Sequence, residues 1–409
     1  MGRAAAGGRR HLGRLRVRRR GDRATSGAVT SAPGGLGEVA RLFLKLGVIG
    51  FGGPAAHIAL MREEVVRRRR WLSDERFLDL VGMASLIPGP TSTELSIYLG
   101  YVRAGWPGLL VGGSCFIGPA VAIVLALAWL YVRYGATPAA ASALYGITPV
   151  IIAIVAHAMW GLGRTAVKGP LSVLVGLGVL ALALTGVNVL VLLVAGGVVV
   201  MLRQARAPRA VGLVAALTAL GGAGAASGQT AAGATVTLGT LFLTFLKIGA
   251  VLYGSGYVLL AFLRDDLVER LGWLTDRQLL DAVAVGQFTP GPVFTTATFI
   301  GYVLAGWVGA LLATVAIFLP SFVFVAASRP LLPRLRRSPW AGAFLDGVNV
   351  AALALMAAVT WQLARAAIVD GFTVALLILS GAALLAARVN SAWLIVGGAA
   401  AGLVYRFGW

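Results

Sequence analysis

Long apolar runs alternate with short polar gaps almost from end to end of the chain. The runs cover approximately residues 39–60, 77–102, 107–132, 143–162, 170–185, 188–202, 210–228, 237–263, 278–304, 307–328, 344–364, 372–387 and 391–407. A helix needs about 20 apolar residues to cross the hydrocarbon core of a bilayer, and many of these runs approach or pass that length. The pattern predicts an all-α, polytopic membrane protein.

The runs are not independent. Phe43-Leu44-Lys45-Leu46-Gly47 returns as Phe245-Leu246-Lys247-Ile248-Gly249, and Trp71-Leu72-Ser73-Asp74 as Trp273-Leu274-Thr275-Asp276. Pro88-Gly89-Pro90 returns as Pro290-Gly291-Pro292, again 202 positions later. One deletion shifts the offset to 201, at which Gly100-Tyr101 matches Gly301-Tyr302, Gly105-Trp106 matches Gly306-Trp307, and Pro119 matches Pro320. A register kept this long is a duplication. The expected organisation is a basic, disordered cytoplasmic tail over 1–37, a first copy over 38–203, a linking transmembrane segment in 204–236 and a second copy over 237–409.

Each copy carries six apolar segments, and the unpaired run 210–228 lies between them. An odd number of crossings would insert the second copy upside down. Arginine placement agrees: the first loop of copy one holds Arg62, Arg67, Arg68, Arg69, Arg70 and Arg76, whereas its counterpart mixes Arg264, Arg270 and Arg277 with Asp265, Asp266, Glu269 and Asp276. The loop after the third segment reverses the bias, with Arg133 in copy one against Arg329, Arg334, Arg336 and Arg337 in copy two. Cytoplasmic loops collect Lys and Arg, so the copies are expected to be inverted repeats, the common architecture of secondary transporters. If 39–60 and 77–102 both span, the arginine-rich loop between them falls on the wrong side. If both are re-entrant hairpins, every loop keeps its side, and the breaks at Gly50-Phe51-Gly52-Gly53-Pro54 and Pro88-Gly89-Pro90 suit such hairpins.

Composition narrows the function. The 409 residues are 58% hydrophobic and 12% charged, against about 25% charged in an average soluble protein. The net charge of +20 comes from a tail with nine arginines in residues 1–23 and from short loops. That distribution points to anionic lipid headgroups and not to nucleic acid, for which no soluble reading module is present. Residues 1–37 lack the apolar core of a cleavable signal. The lone Cys115 excludes an internal disulfide framework.

Chemistry concentrates at the breaks. Pro-Gly-Pro inside an apolar run stops a helix, and the freed backbone groups must be buried in protein or line a polar cavity. Thr91 and Ser92 follow the first break, and Thr295 and Thr296 follow the second. A half-helix starting there offers amide donors, a positive dipole end and hydroxyls, a combination that suits an oxyanion. The candidate binding residues are Gly52, Gly53, Pro54, Pro88, Gly89, Pro90, Thr91 and Ser92 in copy one. In copy two they are Gly254, Ser255, Gln287, Pro290, Gly291, Pro292, Thr295 and Thr296. Lys45 and Lys247, matched ammonium groups inside apolar runs, are added as anion attractors, against snorkelling to the interface as the plainer role. Glu94, where copy two has Thr296, is either a helix-end carboxylate or a proton carrier. His57 and His157 lack partners at metal-ligand spacing and read as structural. No catalytic, metal or cofactor site is expected.

The residues Phe51-Gly52-Gly53-Pro54-Ala55-Ala56-His57-Ile58-Ala59, the Trp71-Leu72 loop, both Pro-Gly-Pro breaks, Gln287-Phe288-Thr289 and Ala297-Thr298-Phe299-Ile300-Gly301-Tyr302 resemble the chromate transporter family, long-chain two-domain type. The resemblance runs from about residue 38 to the end. It implies export of chromate across the bacterial inner membrane, driven by an ion gradient, with sulfate as the look-alike anion. The chain departs from the family at the breaks: Ser85 replaces a Gln, and Tyr253-Gly254-Ser255-Gly256 replaces an aromatic-Gly-Gly-Gly run. Rival readings are a transporter of sulfate or another small anion, a lipid-handling protein with re-entrant helices, and an intramembrane enzyme. The last lacks an H-E-x-x-H or nucleophile-elbow motif. The pattern is also compatible with a homo-oligomer.

Overall fold

The computed structural model describes residues 35–204, 235–253, 256–328, 338–387 and 389–407. Residues 1–34 of the expected tail, the run 210–228 and the arginine-rich stretch 329–337 lie outside them. Among the described residues the chain is helical with no strand. Copy one runs α1 (Leu36–Ile49), α2 (Gly53–Arg62, continued by a π-helical turn over Glu63–Arg68), α3 (Asp74–Ala84), α4 (Thr91–Tyr134), α5 (Pro138–Ala166), α6 (Pro170–Leu184) and α7 (Val189–Gln204). Copy two runs α8 (Leu238–Val251), α9 (Leu259–Leu263, continued by a π-helical turn over Arg264–Arg270), α10 (Asp276–Phe288), α11 (Thr296–Ser328), α12 (Pro339–Ala367), α13 (Gly371–Ala386) and α14 (Ser391–Phe407). Each helix of copy one has its counterpart seven places on, π-helical turn included.

Counterparts α5 and α12 show how the copies are related. They lie side by side in opposite directions: Lys168, just past the end of α5, pairs with Asp346 near the start of α12 at 2.7 Å. At the other end Tyr145 donates to Asp370. Midway, Thr360 Oγ1 meets Sδ of its own counterpart, Met159, at 3.5 Å. Equivalent helices that pack antiparallel, touching at equivalent residues, define an inverted pair with its two-fold axis at that contact.

Four helices among the described residues are long and apolar enough to cross a membrane: α4, α5, α12, and α11 with its leading turn (Val293–Ser328). Two of these fold back on themselves. Ala104 and Gly105 interrupt α4, and Ala305 and Gly306 interrupt α11. The glycines stand at φ 63°, ψ −149° and φ 62°, ψ −152°, a region only glycine occupies cheaply. The arms return closely enough for Thr298 and Thr314 to share a hydrogen bond at 2.7 Å. Beside each reversal an aromatic pair packs edge to face, Tyr101 on Trp106 and Tyr302 on Trp307.

The first two segments of each copy are also hairpins. In copy one, Trp71 Nε1 donates to Glu38 at 3.0 Å and Arg103 donates to the same carboxylate at 2.8 Å. The start of α1, the end of the α2 arm and the end of the first α4 arm therefore meet at one place. The tips at Gly50–Pro54 and Pro88–Pro90 lie away from it. Bidentate pairs fasten the two hairpins of each copy, Arg62 to Asp74 at 2.7 and 2.5 Å, and Arg264 to Asp276 at 2.8 and 3.3 Å. Helix starts are capped where the sequence supplies the residue: Ser73 accepts from Arg76 N, and Thr275 forms a capping box with Gln278.

Packing sorts the helices into two bodies. The hairpins form one, with α1 on α4, α8 on α11 and α4 on α11. The second is cross-packed between copies, with α5 against α13 and α14, and α12 against α6 and α7. Large apolar side chains such as Leu174, Leu379 and Trp393 stay exposed on this second body, as expected of surfaces facing lipid tails.

Candidate functional site

The tips of the four hairpins meet in the middle of the molecule. Gly89 N donates to Leu252 O at 2.7 Å, and Gly291 N donates to Gly50 O at 2.8 Å. Gly89 and Gly291 are repeat counterparts, as are Leu252 and Gly50, so each Pro-Gly-Pro tip is tied to the other copy's break by a two-fold-related bond. Both glycines have positive φ, 135° and 99°. A Cβ on Gly291 would stand 2.9 Å from Ala120 Cβ, and one on Gly89 would stand 2.5 Å from Ser321 Oγ. His57 is buried and donates from Nε2 to Gly50 O at 2.8 Å, which holds the copy-one break in shape.

A cavity of about 920 Å³ lies between these tips and the second body. Gly52, Gly53, Pro54, Thr91, Gln287 and Gly291 line one wall, so six of the expected residues, drawn from both copies, come together there. The opposite wall carries His157, Asn349 and the Lys168–Asp346 pair. None of these four is among the candidates the sequence offers. His157 reads there as structural, yet its exposed side chain faces the cavity. The one available signal was an ionisable group within an apolar run.

The other expected residues take different places. Pro88, Gly89, Pro90, Pro290 and Pro292 shape the tips without lining the cavity. Ser92, Thr295 and Thr296 are buried, and the two threonines donate to Pro292 O at 2.9 Å and Val293 O at 2.8 Å within their own turn. Lys45 and Lys247 pair with carboxylates away from the cavity, Lys45 with Glu64 and Lys247 with Asp266, each at 2.6 Å. Arg270 also reaches Asp266, at 2.9 Å. These pairs lie where the π-helical turns begin, at matched positions. Gly254 and Ser255 lie outside the described residues. Glu94 is fully buried, and neither of its carboxylate oxygens has a hydrogen-bond partner among the described residues. No cluster of potential metal ligands occurs among the described residues.

Two inverted copies, broken helices meeting at the centre and a cavity lined by both breaks define an inverted-repeat membrane transporter. The Chromate transporter family model matches the chain twice, over residues 37–201 and 239–403. The chromate transport protein of Cupriavidus metallidurans is 36% identical over 390 residues, covering 93% of this chain and 95% of the relative. A chromate transport protein of Pseudomonas aeruginosa is 34% identical and covers 90% of each chain. No solved structure matches the chain. The chain belongs to the chromate transporter family.

Proposed function

We propose that the chain exports chromate from the cytoplasm across the bacterial inner membrane, and that its broken hairpins are re-entrant. The observation that carries this reading is the cavity lined by both breaks. Backbone at the Gly52-Gly53-Pro54 and Gly291 breaks, with the Gln287 amide and the Thr91 hydroxyl, presents neutral polar groups to an anion. Such groups can bind a dianion and release it, whereas a tightly held lysine would retain it. The break that ends α1 and its short length support re-entrance. The 14 residues of α1 reach about 21 Å, short of a core about 30 Å thick.

Charge supports the outward direction. The cavity includes the α5–α6 junction and Asp346 near the start of α12, the helix that follows Arg329, Arg334, Arg336 and Arg337 in the sequence. By arginine bias that end is cytoplasmic. Moving two negative charges outward across an inside-negative membrane releases roughly 4.6 kcal/mol per 100 mV. Glu94 would then be the proton carrier, adding coupling to the pH gradient.

The test is uptake into inside-out vesicles bearing the protein, with chromate and sulfate in parallel, with and without imposed potential and pH gradients. Gradient-dependent chromate accumulation is expected. Accumulation of sulfate alone would move the assignment to that anion, and uptake of neither above protein-free vesicles would remove the reading.

A further inference from the structure

We infer that Glu94 exchanges its proton with the cytoplasm along a hydroxyl path made by Ser321, Tyr98 and Ser328. This rests on the reading of Glu94 as the proton carrier and assigns the route by which it is loaded.

Glu94 and Tyr98 are one turn apart on the first arm of α4, hence on one face. That face packs on α11, where Ser321 and Ser328 lie two turns apart. At the inner end, Glu94 Oε1 and Ser321 Oγ both border the space above Gly89 that a Cβ would fill. Ser321, like Glu94, is fully buried with no hydrogen-bond partner for its side chain among the described residues. At the outer end, Tyr98 is 3% exposed, and its hydroxyl shares a hydrogen bond with Ser328 Oγ at 2.5 Å, in which either can donate. Ser328 in turn donates to Val325 O at 3.0 Å. It is half-buried and closes α11 immediately before the arginine-rich stretch 329–337.

The polar groups stand in two pairs, Glu94 with Ser321 at the buried end and Tyr98 with Ser328 at the helix end assigned to the cytoplasm, with one turn of α4 between Glu94 and Tyr98. A buried hydroxyl left unpaired costs about 1–3 kcal/mol, so two such groups side by side, a carboxyl and a serine, call for a role. The other half of the molecule lacks these pairs. At the 201 offset Tyr98 matches Phe299, Ser321 matches Ala120 and Ser328 matches Leu127, while Glu94 stands where copy two has Thr296. An interface duplicated in backbone thus carries the Glu94, Tyr98, Ser321 and Ser328 set in one of its two places, and Thr295, Thr296 and the Tyr131–Asp281 pair in the other. The other ionisable group beside Glu94 is Tyr253, on the facing tip.

In the proposed step a proton enters at Ser328, each hydroxyl accepting one proton as it passes on its own. Rotation of the Glu94 side chain between Ser321 and Tyr98 completes transfer to the carboxylate, and the same steps reversed release it. A relay changes how fast Glu94 is loaded and leaves the coupling ratio alone.

The experiment measures pH-gradient-driven chromate accumulation in inside-out vesicles for wild type, Tyr98→Phe, Ser328→Ala, Ser328→Thr and Glu94→Gln. Tyr98→Phe and Ser328→Ala should lower the initial rate about tenfold or more while reaching the wild-type final accumulation. Ser328→Thr, which keeps the hydroxyl, should recover the rate. Glu94→Gln should abolish the pH-driven component. Wild-type rates in both hydroxyl deletions, with Glu94→Gln inactive, would overturn the path and leave the carrier intact. A final level lowered in proportion to the rate would make the hydroxyls structural and overturn the path too. Full accumulation by Glu94→Gln would instead remove the carrier reading beneath it.

Discussion

Replacing Gly291 by alanine tests the tip architecture most directly. The added methyl meets two separate obstacles. The first is the backbone, since φ of 99° is costly for an L residue with a side chain, about 1–2 kcal/mol. The second is steric, because the new Cβ would stand 2.9 Å from Ala120 Cβ, and overpacking of this kind costs about 1–3 kcal/mol. Moving the tip to relieve either would lengthen the Gly291 N–Gly50 O bond and shift the cavity wall. Gly291→Ala should therefore lower thermal stability in detergent and cut chromate transport sharply, while the protein still inserts. The two obstacles are separable. Ala120→Gly removes the facing methyl, so the double variant should regain the steric part, roughly 1–3 kcal/mol, and keep the backbone part. Thermal unfolding of the four proteins gives the cycle. Additive effects of the two substitutions would refute the contact, and wild-type stability and transport in Gly291→Ala would refute the strained tip altogether.

Lys247→Glu sets a carboxylate against Asp266, which is 1% exposed, and should destabilise the protein by about 3–5 kcal/mol, with Asp266→Asn restoring part of the loss. If Lys247→Glu keeps stability but loses chromate affinity, the lysine acts on substrate after all. For topology, a Cys115→Ala background carrying Arg68→Cys or Arg270→Cys should be labelled by an impermeant thiol reagent on intact cells only at position 270. Equal labelling at both positions would remove the re-entrant assignment. His157→Gln should raise the KM for chromate by several-fold with kcat little changed if the imidazole meets the anion in the cavity, and an unchanged KM would return it to a wall residue.

The duplication, the all-α class and the places of the breaks were legible because each leaves a local mark: a repeated string, an apolar run, a Pro-Gly-Pro. The reversal at Gly105 was legible only as a gap between runs. The partner of each tip amide was not, because the carbonyls of Gly50 and Leu252 leave no side-chain signature and lie in the opposite copy. The ion pairs of Lys45 and Lys247 were hidden for a related reason. Their carboxylates are 19 positions away, across a break and a hairpin, while Arg62-Glu63-Glu64 reads locally as an ordinary charged helix end. The cavity wall on α5 and α12 was hidden because Asn349 and His157 come to line one cavity with Gln287 only once the copies pack antiparallel.

The reciprocal tip bonds join main chain to main chain, and that has a consequence for how the two halves can drift apart. A tie made by backbone survives almost any change of side chain beside it, as the pairing of Gly50 with Leu252 at equivalent positions already illustrates. Two identical subunits meeting in the same way would carry every residue at the centre twice, so a carboxylate gained by one would be gained by both. Joined in one chain, the halves keep a symmetric frame while only one acquires Glu94 and only the other the serines that face it. The fusion frees the two halves to differ at the centre without disturbing the frame that holds them.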